Sequence, residues 1–281
     1  MPYLDVGGGR LFYEDRGGGP GSDPGSEKRP LVFVHGLACD HADWRRQADH
    51  FAPSRRVVCA DLRGHGRSGA FASGFDIETY AADLAALVDG LDLAPAVLAG
   101  HSMGCRPVLE CARRFPERVA ALALVDGSRL AEGAAEEAYR ATRAVIDAAG
   151  PGAFVARLFS QMFTPASDPA LRDRIVARAA RLPARVGESL APSMVAWDAA
   201  HMEETLRALR VPLLVVQSTY LNTNHERVPL EPGETIPWLE LVARCVPGAH
   251  IETIHGVGHF AMLEAAERVN GLLDSLLACL R

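Results

Sequence analysis

A chain of 281 residues that is 48% apolar can bury one sizeable core, which excludes disorder and fits one domain carrying an insertion better than two domains. Its 35 acidic and 29 basic residues leave a formal net charge of −6 with no lysine- or arginine-rich run, so nucleic acid is not an expected partner. No apolar stretch reaches the ~18 residues needed to cross a bilayer, and the N-terminal MPYLDVGGGRLFYED lacks the basic and apolar regions of a signal peptide, so a cytoplasmic location is the expectation.

Along the chain, apolar runs of strand length alternate with longer helical patterns, the signature of an α/β protein whose mainly parallel sheet is covered by helices. Residues 3–6 and 10–16 read as an antiparallel hairpin, and the Gly/Pro/Ser-rich GGGPGSDPGSEKRP at 17–30 as a surface loop rather than a domain linker. Six core strands follow: LVFVHG (31–36), RVVCADL (56–62), AVLAGHS (96–102), VAALALVD (119–126), PLLVVQS (212–218) and HIETIHG (250–256). In DIETYAADLAALVDGLD (76–92), Ile77, Tyr80, Leu84, Leu87 and Leu91 recur three or four apart, the spacing of an amphipathic helix lying on a sheet. Similar helices are expected after Ser102 and at the end of the chain.

From 130 to 208 this rhythm breaks into about four successive helical segments with no strand between them, which predicts a helical cap inserted between core segments 1–129 and 209–281. Its bulky apolar residues Phe159, Met162, Phe163, Met194 and Trp197 are candidates to line a substrate pocket, with simple core packing as the other reading. The six cysteines (Cys39, Cys59, Cys105, Cys111, Cys245 and Cys279) form no CxxC pair and no ligand-like spacing with histidine. They read as buried small hydrophobes rather than as disulfides or a zinc site.

The most specific chemistry lies in Gly100-His101-Ser102-Met103-Gly104, a GxSxG placed where a strand ends and a helix begins. A sharp turn there strains the serine backbone and aims its Oγ into a site, while glycines two before and two after let the chain pass closely. The helix N-terminus adds a potential favourable to developing negative charge. Histidine is the expected base, and of the ten His259 is preferred, because Gly256-Val257-Gly258-His259-Phe260 sets it on a glycine-flanked loop after the last strand. His255 is its nearest rival and reads as structural.

Together VHGLACDHADW, ADLRGHGRSG, GHSMG, RFPERVAALALVD and GVGHFAMLE, in this order over most of the chain, resemble the α/β-hydrolase family. The resemblance implies a doubly wound eight-stranded sheet with a cap inserted after the sixth strand. It also implies an oxyanion hole made by the backbone N–H groups of Leu37, after His35-Gly36, and of Met103, with His35 as a structural ligand of its loop. Asp61, Arg63, His65, Gly66 and Ser68 then belong to a structural turn beside that loop. Two departures follow the elbow: Cys105 stands where relatives usually have glycine, and Pro107 enters early in the helix, where a missing N–H costs little.

The third departure concerns the acid that must orient the imidazole. Relatives usually carry it just after the strand that here reads PLLVVQ, but residues 217–225 contain no carboxylate and the loop continues to about Pro237. Asp126, ending the strand that follows the nucleophile strand, is the preferred replacement; certain haloalkane dehalogenases and a fungal lactonase look similar in placing their acid there. Glu226 and an uncharged partner such as Asn222 are the alternatives.

The expected activity is serine-dependent hydrolysis of a carboxylic ester or lactone through an acyl-enzyme, with Ser102, His259 and Asp126 as its residues and neither metal nor cofactor required. Serine at 102 argues against dehalogenase and epoxide hydrolase chemistry, which in this fold need aspartate there. Carbon-carbon bond hydrolysis of diketone ring-cleavage products is the enzymatic alternative, and a ligand receptor with vestigial hydrolysis the non-enzymatic one. The expected partner is a small-molecule substrate, with no nucleic acid and no membrane, and the sequence leaves monomer and homo-oligomer open.

Overall fold

The computed structural model describes residues 2–17, 28–224 and 226–280. Of the loop expected at 17–30, residues 18–27 lie outside the described residues, as does His225. An eight-stranded sheet runs in the order β1-β2-β4-β3-β5-β6-β7-β10. Its strands are β1 (Tyr3–Val6), β2 (Gly9–Arg16), β3 (Leu31–Val34), β4 (Val57–Ala60), β5 (Ala96–His101), β6 (Val119–Val125), β7 (Leu213–Gln217) and, after a separate hairpin of β8 (Thr219–Leu221) and β9 (Arg227–Pro229), β10 (His250–Thr253). Within this sheet the β1–β2 and β2–β4 pairs are antiparallel and every other pair is parallel, and the β8–β9 hairpin is antiparallel.

The central strands β3, β4, β5 and β7 are buried at every residue, which is why they read as unbroken apolar runs: helices cover both sheet faces. Those helices are α1 (Arg45–Phe51), α2 (Ile77–Gly90), α3 (Cys105–Arg114), α4 (Ala135–Ala149), α5 (Pro151–Ser160), α6 (Pro169–Ala179), α7 (Ala184–Ala208), α8 (Pro237–Cys245), α9 (Ala261–Glu264) and α10 (Ala266–Ala278). In α2, Asp76 caps the N-terminus by accepting from the Thr79 amide at 2.7 Å, and Ile77, Tyr80, Leu84 and Leu87 are buried as the periodicity predicts. Leu91 falls just beyond the last turn and is half-buried.

The chain runs from β3 to its neighbour β4, then returns across β3 to β5, so the strand order reverses at β3 and a crevice opens beyond the carboxyl ends of β3 and β5. Four helices, α4 to α7, intervene between β6 and β7. The last of them, α7, is tied to α3 by a buried ion pair in which Arg106 donates Nε and Nη2 to the Asp198 carboxylate at 2.8 and 2.6 Å.

Two features differ from the sequence reading. The segment expected as one long loop after β7 folds into the β8–β9 hairpin, whose three-residue strands are too short to register as a periodic pattern. Four cysteines are buried, but Cys245 is half-buried and Cys279 exposed, because each lies at the C-terminal end of a helix, beyond the stripe that faces the core.

Candidate active site

At the carboxyl end of β5 the backbone turns into a short 3-10 segment and then α3, and Ser102 at this turn has φ +54°. A side chain avoids that region at a cost on the order of 1–3 kcal/mol, so the surroundings must hold the residue there. They do so by contact: a Cβ on Gly104 would lie 2.6 Å from the Val34 and His35 carbonyl oxygens, and one on Gly100 would run into the Gly104 carbonyl. Cys105 uses the space beside this turn to donate its Sγ to the Gly100 carbonyl at 3.2 Å. Pro107 is the third residue of α3, within the first turn, where no intrahelical acceptor awaits its N–H.

Asp126 ends the neighbouring strand β6, also at positive φ (+50°), with its amide donating to the Val216 carbonyl of β7 at 2.7 Å. Its carboxylate reaches the His259 ring, with Oδ2 2.5 Å from Nδ1. Five donors converge on the two oxygens: Oδ1 accepts from the Ser218 amide (2.7 Å) and hydroxyl (3.1 Å) and from the Thr219 amide (2.8 Å), and Oδ2 from the Thr219 hydroxyl (2.5 Å) and His259. Burial opposes the charged form, yet these hydrogen bonds, the imidazole and the Arg227 guanidinium outweigh it and hold the carboxyl below the ordinary aspartate range.

His259 is placed by bonds from both sides. Its amide donates to the Met162 carbonyl at 2.8 Å, its carbonyl lies 2.9 Å from the His101 Nε2, and the preceding Gly258 presents its carbonyl to Ser218 Oγ and its amide to Glu264 Oε1. Gly258 is needed because a Cβ there would lie 2.5 Å from the Met162 carbonyl. Burial, seconded by Arg227, lowers the imidazole to about 4 despite the adjacent Asp126. Its Nε2 is buried without a hydrogen-bond partner among the described residues, and the ring lines the same cavity as Ser102.

The rivals lie elsewhere. Glu226 is exposed and exchanges hydrogen bonds with Asn222 across a turn, and His255 bridges the Leu230 carbonyl and the Thr253 hydroxyl. The turn after β3 lies against the elbow: a Cβ on Gly36 would be 3.2 Å from that of Ser102, Leu37 lines the cavity, and Met103, next to Ser102, is fully buried. His35 accepts from the Leu62 amide at 2.9 Å, and Asp61 accepts from the His41 and Arg67 amides at 2.7 and 2.6 Å, so both brace loops.

The cavity measures about 130 Å³ and is mostly apolar, with Phe159, Met162, Met194 and Phe260 among its walls. Trp197 does not line it. Its indole N–H donates to Glu110 of α3 at 3.1 Å and the ring sits beside a different depression, with Phe75 and His201. The helical face that carries Trp197 turns toward α3, which the spacing of bulky residues did not reveal. The sequence reading also missed Arg106 in α3, Arg227 in β9 and Glu264 in α9; a charged side chain carries no signal in its own segment that it will be buried.

A strained serine between a parallel strand and a helix, sharing a cavity with a late-chain histidine held by a strand-end carboxylate, defines the nucleophile-elbow class of α/β enzymes. The chain belongs to the α/β hydrolase fold family, whose model matches residues 29–266. It is 32% identical over 287 aligned residues to the dihydrolipoyllysine-residue acetyltransferase component of the acetoin cleaving system of Pseudomonas putida, covering 99% of this chain and 68% of that one. It is 43% identical over 120 residues to a non-heme chloroperoxidase of Streptomyces lividans, covering 42% and 41% of the two chains, so this alignment spans less than half of that relative. Among solved structures it superposes on a thermophilic esterase from Thermogutta terrifontis with TM-score 0.78 and 26% identity, covering 100% and 97%. No helix among the described residues is long and apolar enough to cross a membrane.

Proposed function

We propose that this member of the family is a serine hydrolase of carboxylic esters or lactones. The observation that carries the reading is His259: Asp126 holds its Nδ1 at 2.5 Å while Nε2 is left without a partner in the cavity that Ser102 lines. In the first half-reaction Ser102 Oγ attacks the substrate carbonyl as Nε2 takes its proton, and the oxyanion rests on the Leu37 and Met103 N–H groups. The tetrahedral intermediate then expels the alcohol oxygen, which receives that proton from His259. In the second half-reaction His259 deprotonates a water, which attacks the acyl carbon, and the second tetrahedral intermediate releases the acid as Ser102 Oγ takes that proton back from His259. The likeness to an esterase at 26% identity supports this choice.

The test is turnover of a panel of p-nitrophenyl esters, lactones and a vinylogous diketone, with a serine-reactive phosphonate as the covalent probe. Ester or lactone cleavage together with labelling of Ser102 is expected. Cleavage of the diketone alone transfers the assignment to carbon-carbon hydrolysis, and the absence of both turnover and labelling defeats the reading.

The histidine sets the pH dependence. A base must be neutral, and His259 is lowered to about 4, so kcat/KM should stay flat at neutral pH and fall as pH drops through about 4. Its folded value lies below the unfolded 6.5, so the folded state is progressively destabilised as pH falls from 6.5 toward 4. An acid limb near 6.5 in a rate profile corrected for unfolding would contradict this environment for the base.

We further propose that α4 to α7 act as a cap that selects the acyl group. Phe159→Ala and Met162→Ala should change the ratio of rates between short and long p-nitrophenyl esters. Trp197→Ala should leave that ratio alone and lower stability by about 3–5 kcal/mol, the usual cost of truncating a buried aromatic. Chain-length profiles and denaturant melts of the three variants separate the two outcomes.

A further inference from the structure

The cavity's walls hold two arginines and, among the described residues, no aspartate or glutamate. The two differ in how fully they are used. Arg106 directs its fork at Asp198 and adds a bond to the Ser128 carbonyl at 3.0 Å. Arg227, from the β8–β9 hairpin, makes one side-chain hydrogen bond among the described residues, from Nη1 to the Thr219 hydroxyl at 2.9 Å. Its Nε is buried without a partner among the described residues, although a guanidinium offers five N–H donors.

The nearest carboxylate does not account for these donors. Arg227 Nη1 is 3.6 Å from Asp126 Oδ2, beyond hydrogen-bonding distance, and the Asp126 oxygens already receive five other hydrogen bonds. The side chain is 6% exposed, and what it lines is a mostly apolar cavity. A desolvated cation with unused donors is costly to keep, and a planar fork in that state matches a carboxylate in two parallel bonds. The hairpin holds it in place: the Arg227 amide donates to Gln161 Oε1 at 3.1 Å, at the end of α5.

We infer that Arg227 is a specificity residue that receives a carboxylate carried by the substrate, so that the preferred esters or lactones are anionic. This rests on the serine-hydrolase reading above. A cavity of about 130 Å³ is close to one that holds a benzene ring, roughly 150 Å³, so the anionic substrate is small.

Two matched pairs test it: mono-p-nitrophenyl glutarate against p-nitrophenyl pentanoate, with the charge on the acyl side, and 4-acetoxybenzoate against 4-methylphenyl acetate, with the charge on the leaving side. For at least one pair the wild type should favour the anion in kcat/KM by about 10- to 100-fold, the worth of charge-assisted hydrogen bonds, mainly through KM. Arg227→Gln should collapse that ratio toward one and Arg227→Lys should restore part of it. The ratio, not the absolute rate, is the readout, because Arg227 is also close to Asp126. Should Arg227→Gln be inactive, calorimetry on the Ser102→Ala background replaces it: monomethyl glutarate should bind at least about tenfold more weakly when Arg227→Gln is added, and methyl pentanoate equally in both. Turnover of the neutral esters with no anionic preference in either pair, or a ratio unchanged by Arg227→Gln, overturns the inference while leaving the hydrolase reading standing. Absence of turnover on all four esters and of phosphonate labelling overturns that reading instead.

Discussion

Replacing Ser102 with alanine should lower ester turnover by about 10⁶-fold and abolish phosphonate labelling, since loss of the nucleophile in a serine, histidine and aspartate unit costs as much as loss of the whole unit. The residue sits at φ +54°, and alanine shares the Cβ that makes this region costly, so the backbone strain is the same in both forms. A thermal melt of Ser102→Ala should therefore superimpose on that of the parent, which separates lost chemistry from lost fold. Labelling at the parental rate would place the nucleophile on another side chain.

The second large effect belongs to Asp126. Asp126→Asn preserves size but replaces one carboxylate oxygen with an amide that donates, and Asp126 accepts all five of its hydrogen bonds. The Ser218 and Thr219 amides on Oδ1 cannot rotate away, so the asparagine oxygen should remain with them and its NH₂ should face His259 Nδ1. The imidazole is then driven into the tautomer with its proton on Nε2, which cannot deprotonate Ser102; in the serine-protease template this change costs about 10⁴ in kcat. Glu226→Gln should alter kcat by less than about twofold, as Glu226 is an exposed residue bonded to Asn222 and distant surface changes are usually near neutral. Retention of most activity by Asp126→Asn would make the strand-end aspartate a structural residue. Its stability should also fall, because Arg227 would lose its nearest negative charge in a buried setting.

The elbow was legible because every signal for it is local. Val97 and Leu98 demand a buried strand, Gly100 and Gly104 demand close backbone approach, and the helix of α3 begins within three residues of Ser102. The glycines before His259 are a local signal as well, since Gly256 takes φ +77° in the turn that follows the last strand. Asp126 could be favoured from the sequence because residues 217–225 hold no carboxylate and because parallel strands in succession tend to be neighbours, which β5 and β6 are.

What the sequence by itself determined is therefore the α/β class, the order of the core strands along the chain, and the two side chains proposed to react, Ser102 and His259, which are marked by strand, glycine and helix signals a few residues apart. Only the tertiary structure decided which groups surround them. The Asp126–His259 bond joins residues 133 apart, a hairpin of two three-residue strands brings Arg227 to 3.6 Å from the Asp126 carboxylate, and Trp197 turns to Glu110 instead of the cavity. The reason is physical: the spacing of side chains along one element states which of them share a face, whereas the direction that face takes depends on what the rest of the chain packs against it.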